Sequence, residues 1–291
     1  MLVWRYKLQG DAAGPQASLI MPSILCWPCE SIWEAVVPGL PGFSIEVLPT
    51  VDSTNAELVR RARSGCHDPV LLVAEQQTAG RGRMGRQWHS GNHHAELTFS
   101  LGLPLAPANW SGLSLAVGLC LAQSLHPDIR LKWPNDLWWH GRKLAGILVE
   151  TVSGSTSLGR YGVVGVGINL LPPPDKGFST PPAGLVELLP DVDAAQTLGL
   201  VAAPLVHTLQ RFEQHGFAPF QGEFNARDAV RGIFVTLSNG TQGVAQGVDS
   251  VGALRVQTKY GIEKVTSAEL SVRPEDTLMN SHFDGVNACC A

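Results

Sequence analysis

The sequence predicts an α/β (α+β) protein with a mixed or antiparallel sheet, followed by a small all-β unit. Many strand-like apolar runs are separated by few helical patterns, so the regular βαβ alternation of a doubly wound parallel sheet is missing. Between residues 232 and 272, short strands alternate with glycine turns, which is typical of a small barrel. The length of 291 residues suits one large and one small domain.

The organised part of the chain is predicted to begin at residue 43. Residues 1–42 are rich in Gly and Pro without a sustained period, so we expect a poorly ordered extension with one short helix near residues 31–37. We expect the large domain over residues 43–225, the small β domain over 226–275 and a tail over 276–291.

The first elements of the large domain have clear local signals. Residues 43–48 predict a strand, and Thr54 and Glu57 have the spacing of a capping box, which predicts a helix from there to Gly65. Further strands are predicted over 70–74, 97–103, 129–133, 143–151 and 161–170, and further helices over 113–125 and 196–214. Pro204 should kink or shorten the last helix.

Composition excludes several classes of protein. The formal net charge of -4 predicts no global attraction to nucleic acid. No apolar run approaches the length of a membrane span, and Pro22 and Pro28 argue against a signal peptide over residues 17–29. The six cysteines are too sparse for a disulfide framework, and the C-x-x-C pair at 26 and 29 lacks a thioredoxin-like surrounding pattern. Free thiols in a reducing cytosol are the expected state.

The densest chemical signal is the segment GRGRMGRQW over residues 80–88. Its glycines match G-x-G-x-x-G, but no helix follows directly, so a dinucleotide-binding turn is not favoured. Guanidinium groups bind phosphate or carboxylate bidentately, and the arginines at 81, 83 and 86 lie close together on a flexible backbone. This pattern favours an anionic small molecule, and a solvated loop or an RNA contact are the alternatives.

A second candidate lies in KWPND over residues 132–136, at the end of a predicted strand. Lys132 would hold a positive charge on a rigid support, although a lone lysine at a strand end more often reaches solvent. Asp136 could orient Lys132, help to hold Mg²⁺ or serve as a turn residue. Gly146 lies within a strand pattern, which indicates close approach of a ligand or a bulge.

Taken together, five segments resemble the successive motifs of biotin–protein ligases. They are residues 53–55, 75–88, 132–136, 143–150 and 165–169. The resemblance covers about residues 43–273. It implies the biotin ligase catalytic domain, related to the class II aminoacyl-tRNA synthetase core, followed by an SH3-like domain. It also implies a cytoplasmic enzyme that activates biotin with ATP and Mg²⁺ as biotinyl-5′-AMP and then biotinylates a lysine of a carrier. The carrier would be the biotin domain of acetyl-CoA carboxylase or of another biotin-dependent carboxylase.

The same resemblance implies roles for individual residues. Those expected at biotin are Ser53, Thr54, Asn55, Gln77, Arg81, Gly82, Arg83, Lys132, Gly146 and Leu148. Those expected at the nucleotide are Arg83, Arg86, Trp88, Lys132, Asn169 and Arg273. Lys132, Arg81 and Arg83 would supply the catalytic charge, while the resemblance leaves the metal ligands unknown.

Two departures from the family pattern matter. About 42 residues precede the matched core, without the helical period of the winged helix-turn-helix found in larger bacterial members, so we expect no specific DNA binding. The segment 89–94 contains His93 and His94 where the family commonly has proline and glycine, and we expect these to be loop residues. A monomer or weak homodimer is expected. The rival functions are a lipoate–protein ligase, a tRNA synthetase paralogue and an RNA-binding module.

Overall fold

The fold is described from a computed structural model over residues 26–88, 95–153, 159–174, 180–238, 240, 242–266 and 273–274. The helices are α1 Cys29–Val36, α2 Thr54–Arg63, α3 Leu113–Leu125, α4 Ala194–His215 and α5 Gln221–Arg227. The strands of the first sheet are β1 Ser44–Val51, β2 Val70–Gln77, β3 Glu96–Leu105, β4 Arg130–Lys132, β5 Asp136–Trp139, β6 Arg142–Ser153 and β7 Arg160–Asn169. Those of the second sheet are β8 Phe234–Thr236, β9 Gln242–Val248, β10 Leu254–Thr258, β11 Gly261–Val265 and β12 Arg273–Pro274.

The first sheet is mixed, as the sequence predicts. Its seven strands have the order β1-β2-β3-β7-β6-β5-β4, in which β1 and β2 run parallel and every other neighbouring pair is antiparallel. The five strands of the second sheet have the order β11-β10-β9-β8-β12 and are all antiparallel. This architecture confirms the predicted α/β class.

The two faces of the first sheet have different partners. On one face, Val73, Phe99, Val166 and Ile147 belong to the main core together with α3 and α4. On the opposite face, α2 packs through Leu58 over a smaller cluster at one end of the strands. The rest of that second face is left uncovered by helices and becomes the floor of a cavity.

The expectation of a poorly ordered segment up to residue 42 is wrong for its last part. Helix α1 forms where a short helix is predicted, and its Ile32 and Val36 are buried in the main core. Burial of these side chains against the sheet and α4 stabilises a segment that has no strong local signal. Residues 1–25 lie outside the described residues.

Helix α4 also differs from expectation, because it is 22 residues long and Pro204 does not end it. Its buried face, which includes Leu198, Val201, Leu205 and Leu209, packs along α3. This apolar contact offsets the hydrogen bond that proline cannot donate. Strand β5 and helix α5 are elements that the sequence reading missed. Among the described residues, no helix combines the length and the apolar character needed to cross a membrane.

Candidate functional site

The floor of the cavity is made by glycines on the uncovered face of the first sheet. Gly165 and Gly167 lie two residues apart on β7, and Gly146 on β6 is paired with Gly167, so all three present the same face. A β-carbon added at Gly165 would overlap the side-chain amide of Asn55, and one added at Gly167 would lie 2.5 Å from the indole of Trp88. The missing side chains therefore make room for two residues that border the cavity.

One side of the cavity is formed by Ser53, Thr54, Asn55 and Gln77, which we call the neutral wall. All four residues are buried. The Thr54 amide donates to Gln77 Oε1 at 2.8 Å, and Asn55 Nδ2 donates to the Leu148 carbonyl at 3.2 Å and to Glu150 Oε2 at 2.9 Å. The neutral wall is thus fixed by hydrogen bonds within the protein.

Ser100, a residue that sequence reasoning missed, supports this wall from β3. Its hydroxyl donates to Asn55 Oδ1 at 2.6 Å and lies 2.7 Å from Thr54 Oγ1, and its side chain is fully buried. A serine in the middle of a strand carries no local sequence signal, so only the fold reveals this role.

The N-terminus of α2 differs from the predicted capping box. Ser53 is the N-cap and accepts a hydrogen bond from the Ala56 amide, while the Glu57 carboxylate contacts Arg60 and Arg61 instead. Thr54 is not the cap because its hydroxyl points toward Gln77. Shifting the cap by one residue is what places Thr54 and Asn55 in the wall of the cavity.

The predicted anion-binding loop forms a short hairpin. An isolated bridge pairs Arg81 with Gln87, the Gly82 amide donates to the Arg86 carbonyl at 2.7 Å, and the Trp88 amide donates to the Gly80 carbonyl at 3.0 Å. Backbone pairing therefore directs the loop over the glycine floor.

Trp88 anchors the end of this hairpin. Its ring packs over Gly146 and Gly167, and its Nε1 donates to Glu96 Oε2 at 2.7 Å. The ammonium of Lys143 lies 6.0 Å from the centroid of the same ring. Trp88 thus contacts the floor and Lys143 of β6 from the end of the hairpin.

Five cations line the cavity and form what we call the cationic wall. They are Arg81, Arg83, Arg86, Lys132 and Lys143. Arg83 is half-buried and donates to Asn135 Oδ1 at 3.3 Å. Burial lowers the pKa of the Arg83 guanidinium, while the charge of Asp136 acts in the opposite direction. The single acidic side chain among the described lining residues is Asp136, so this cavity is strongly positive within a chain of net charge -4.

The two lysines of this wall have different surroundings. Lys132 ends β4, is 9% exposed, and its Nζ lies 4.4 Å from the centroid of Trp138. Lys143 lies on β6 and its Nζ is 2.8 Å from Asp136 Oδ1. Asp136 is also the cross-strand neighbour of Lys132. The structure therefore places two lysines around one carboxylate, whereas the sequence alone points to Lys132.

Predicted site residues from distant parts of the chain meet in this cavity, whose volume is about 240 Å³. It is lined by Ser53, Thr54, Asn55, Gln77, Arg81, Gly82, Arg83, Arg86, Trp88, Lys132, Gly146, Leu148 and Asn169. Arg273 lies in β12, but its side chain is outside the described residues, as are residues 89–94 with both histidines. Lys143 and Asn135 are lining residues to which the sequence reading gave no role.

Metal-ligating residues are not clustered in the described part of the chain, where no group of three or more His, Cys, Asp or Glu could hold an ion. Asp136 offers one carboxylate to the cavity. Mg²⁺ in nucleotide sites commonly uses one or two protein carboxylates together with phosphate oxygens and water. Asp136 therefore fits an ion that arrives together with a triphosphate.

The chain is similar to known proteins over most of its length. A model of the Biotin/lipoate A/B protein ligase family matches residues 47–169. The chain is 35% identical over 238 residues to the biotin–[acetyl-CoA-carboxylase] ligase of Paracoccus denitrificans, covering 77% of this chain and 98% of that protein. It is 35% identical over 255 residues to the bifunctional ligase/repressor BirA of Escherichia coli, covering 82% of this chain and 77% of that protein. A structure of the biotin protein ligase from Aquifex aeolicus in complex with biotin and ATP aligns with a TM-score of 0.67 at 28% identity, covering 79% of this chain and 99% of the other.

Proposed function

Because this chain belongs to the biotin–protein ligases of the biotin/lipoate A/B protein ligase family, we propose that it joins biotin to a carrier lysine through an acyl-adenylate. The observation that carries the proposal is the pairing of a neutral wall with a cationic wall over one glycine floor. Biotin has an uncharged ureido head and a carboxylate tail, and ATP is an anion. The two walls match these two kinds of chemistry.

The neutral wall supports biotin over lipoate as the acid. A ureido ring presents two N–H donors and one carbonyl acceptor, which the hydroxyl and amide groups of Ser53, Thr54, Asn55 and Gln77 can satisfy. The dithiolane ring of lipoate offers no strong donor, so burying these polar groups against it would leave them unsatisfied. The names of the similar proteins also favour biotin over lipoate.

The cationic wall explains how two anions react. The biotin carboxylate attacks the α-phosphorus of ATP, pyrophosphate leaves, and biotinyl-5′-adenylate forms. Arg81, Arg83, Lys132 and Lys143 offset the repulsion between carboxylate and phosphate and stabilise the charge that develops in the transition state. The gain comes from positioning and electrostatics, without a covalent bond to the enzyme.

Lys143 joins Lys132 in this proposed role because of where its ammonium lies. A β-carbon added to Gly146 would be 3.4 Å from Lys143 Nζ, so this charge lies directly above the floor. Lys132 lies deeper, against Trp138. We propose that Lys143 contacts the reacting groups. Lys132 contributes its positive charge to the same cluster.

Arg86, Trp88 and Asn169 are proposed to bind the nucleotide, with Arg273 from the second sheet. The support is that Trp88 offers an aromatic ring over Gly167, that Asn169 lies two residues further along the same strand, and that Arg86 also lines the cavity. Mg²⁺, when bound to the phosphates, neutralises part of their charge, and Asp136 is the proposed protein ligand. Gly82 lets the hairpin approach the ligands closely.

Transfer follows when an acceptor lysine attacks the acyl carbon, loses a proton, and AMP leaves. A biotin carrier domain of acetyl-CoA carboxylase or another biotin-dependent carboxylase is the proposed acceptor. We further propose a cytoplasmic monomer or weak homodimer without specific DNA binding, in keeping with the net charge of -4. We propose residues 43–225 as the catalytic domain and 226–275 as the SH3-like domain.

Biotin-dependent exchange of pyrophosphate into ATP tests the first half-reaction without a carrier. We expect exchange with biotin and Mg²⁺, and none when lipoate replaces biotin. If exchange occurs with lipoate and not with biotin, the neutral wall binds lipoate and the proposal is wrong.

A further inference from the structure

One turn of the second sheet is hydrogen-bonded to a residue that lines the cavity. Trp133 Nε1 donates to the carbonyl oxygen of Gly252 at 3.1 Å, and the Trp133 side chain is 1% exposed. Gly252 lies in the turn between β9 and β10, whereas Trp133 directly follows Lys132. A residue next to the cationic wall therefore donates a hydrogen bond to the second sheet.

The segment around Trp133, which donates this bond, needs support from outside its own sheet. Strand β4 has three residues and is the edge strand, paired within the sheet with β5 alone. Short edge strands have few ladder hydrogen bonds and are prone to local opening. Two other contacts help to hold the segment: the Ala229 amide donates to the Leu131 carbonyl at 2.8 Å, and Ser114 Oγ donates to the Pro134 carbonyl at 3.0 Å.

The turn is itself rigidly built. Asp249 Oδ1 accepts from the amides of Val251 at 3.1 Å and Ala253 at 3.0 Å. The Gly252 amide donates to the Asp249 carbonyl at 3.0 Å, and Lys264 Nζ lies 3.1 Å from Asp249 Oδ2. An aspartate that organises a turn in this way fixes the direction of the Gly252 carbonyl.

Glycine is required at position 252 for two reasons. Its φ of +82° lies in the left-handed region. A β-carbon at this position would also lie 2.8 Å from Gly112 Cα and 3.0 Å from Leu115 Cδ1. The turn therefore meets the start of α3 by direct backbone contact, and one added methyl group would push the turn away from Trp133.

We propose that the turn from Asp249 to Gly252 positions the cationic wall for adenylate formation through the Gly252–Trp133 hydrogen bond. The inference rests on the proposed function. Asn135 carries the effect onward, since its Nδ2 donates to the Ile147 carbonyl at 2.8 Å and its Oδ1 accepts from Arg83. Thr54 and Gln77 of the neutral wall lie on α2 and β2 and are hydrogen-bonded to each other, so we expect the turn to affect the rate of adenylation and not the binding of biotin.

Two alanine substitutions form a matched pair for the test. Gly252→Ala adds strain at φ +82° together with the clash at Gly112, whereas Gly232→Ala adds strain at φ +81° with nothing within 4 Å of the new methyl group. Adenylate formation is followed in single turnovers with biotin and MgATP, and each rate is divided by the concentration of active sites. We expect Gly252→Ala to be roughly ten- to hundredfold slower with an unchanged KM for biotin, and Gly232→Ala to keep the wild-type rate.

A spectroscopic signal reports the hydrogen bond directly. The indole N–H of Trp133 is assigned in the ¹⁵N spectrum by its loss in Trp133→Phe. We expect slow hydrogen exchange of this N–H in the wild type and in Gly232→Ala, and fast exchange in Gly252→Ala. Combining Trp133→Phe with Gly252→Ala should slow adenylation little beyond the slower single variant, because both substitutions remove the same hydrogen bond.

Two outcomes would overturn the inference. One is a wild-type adenylation rate in Gly252→Ala or Trp133→Phe while the wild type itself is active. The other is an equal loss of rate in both glycine variants, which would show that backbone strain in the second sheet, and not the hydrogen bond to Trp133, slows the reaction. A wild-type protein that forms no adenylate refutes the proposed function instead, so the two failures are distinct.

Discussion

The neutral wall and the cationic wall lie over the same floor but are built in opposite ways. In the neutral wall, Thr54, Asn55 and Gln77 are buried and hydrogen-bonded to one another or to the strands behind them. In the cationic wall, Arg81 and Arg86 are exposed on the hairpin, and five positive groups share the cavity with one described carboxylate. The neutral wall is held in place by hydrogen bonds within the protein, while the cationic wall is balanced when anions bind.

This difference separates recognition from catalysis. A buried polar network fixed by internal hydrogen bonds holds one arrangement, and it rejects ligands that cannot satisfy its remaining donors and acceptors. A concentration of positive charge stabilises any anion of suitable size, and more strongly a transition state in which negative charge accumulates. Specificity for the acid should therefore reside in the neutral wall and rate in the cationic wall.

Removing a lysine from the cationic wall should have the largest effect on rate. Lys132→Ala and Lys143→Ala are each expected to slow biotin-dependent pyrophosphate exchange about 10²–10³-fold, because each removes a positive charge from the cationic wall that stabilises the reacting phosphate. The KM for biotin should change much less. If Lys143→Ala is inactive while Lys132→Ala exchanges pyrophosphate at the wild-type rate, Lys132 has only a structural role beside Trp138.

Substrate binding should close the hairpin of the cationic wall. Trypsin cuts after arginine, and Arg81 and Arg86 are exposed. Ligands at 100 times their dissociation constants stabilise the bound state by about 2.7 kcal/mol, which should slow cleavage about a hundredfold. We expect rapid cleavage between residues 81 and 86 without substrates and strong protection by biotin with ATP. Protection by ATP alone would show that closure does not depend on biotin.

Alanine substitutions at two glycines of β7 test whether the two sides of the cavity bind different substrates. Gly165→Ala displaces Asn55 and should raise the KM for biotin roughly ten- to hundredfold, the equivalent of about 1–3 kcal/mol for a broken buried hydrogen-bond network. Gly167→Ala displaces Trp88 and should raise the KM for ATP instead. Steady-state kinetics with each substrate varied in turn measures both. Equal changes in both constants for both variants would mean that the walls do not act separately.

The smallest effect on activity is expected from Asp228, which lies outside both walls. Burial raises the pKa of its carboxyl to about 6, above the ordinary value near 4. The folded state therefore holds this proton more tightly than the unfolded state, so stability falls as the pH rises from about 4 to about 6 and stays lower above it. The Oδ2 atom is buried without a hydrogen-bond partner in the described structure, which agrees with this sign.

Asp228→Asn should therefore stabilise the protein above pH 6, by no more than about 3 kcal/mol, with an unchanged rate of pyrophosphate exchange. Unfolding by urea at pH 4 and pH 7.5 checks the difference between the variants. A variant that loses stability at pH 7.5 would show that the ionised carboxylate contributes favourably to the fold.

Local signals predicted much of the fold. Residues 113–125 were expected as a helix and form α3 with the same bounds, and the strands of the first sheet other than β5 lie where apolar runs predict them. These elements depend on periodicity and on boundary residues within a few positions. The family resemblance predicts that the motifs meet in one cavity. No single motif predicts this, because the motifs are far apart in the sequence.

Features that depend on register and tertiary packing could not be predicted. The pairing of Lys143 with Asp136 follows from an irregularity between Leu137 and Trp138 in the β5–β6 ladder. The Trp133–Gly252 bond joins residues 119 positions apart, and α4 continues through Pro204 because its buried face packs on α3. Each depends on neighbours that the local sequence does not specify.

The central claim is that one cavity selects biotin with its neutral wall and activates it with its cationic wall for transfer to a carrier. The most direct measurement is the intact mass of a biotin carrier domain after incubation with this protein, biotin and MgATP. We predict the addition of one biotin to one lysine, and no addition when ATP is omitted or lipoate replaces biotin. A carrier that stays unmodified with biotin but accepts lipoate would contradict the account.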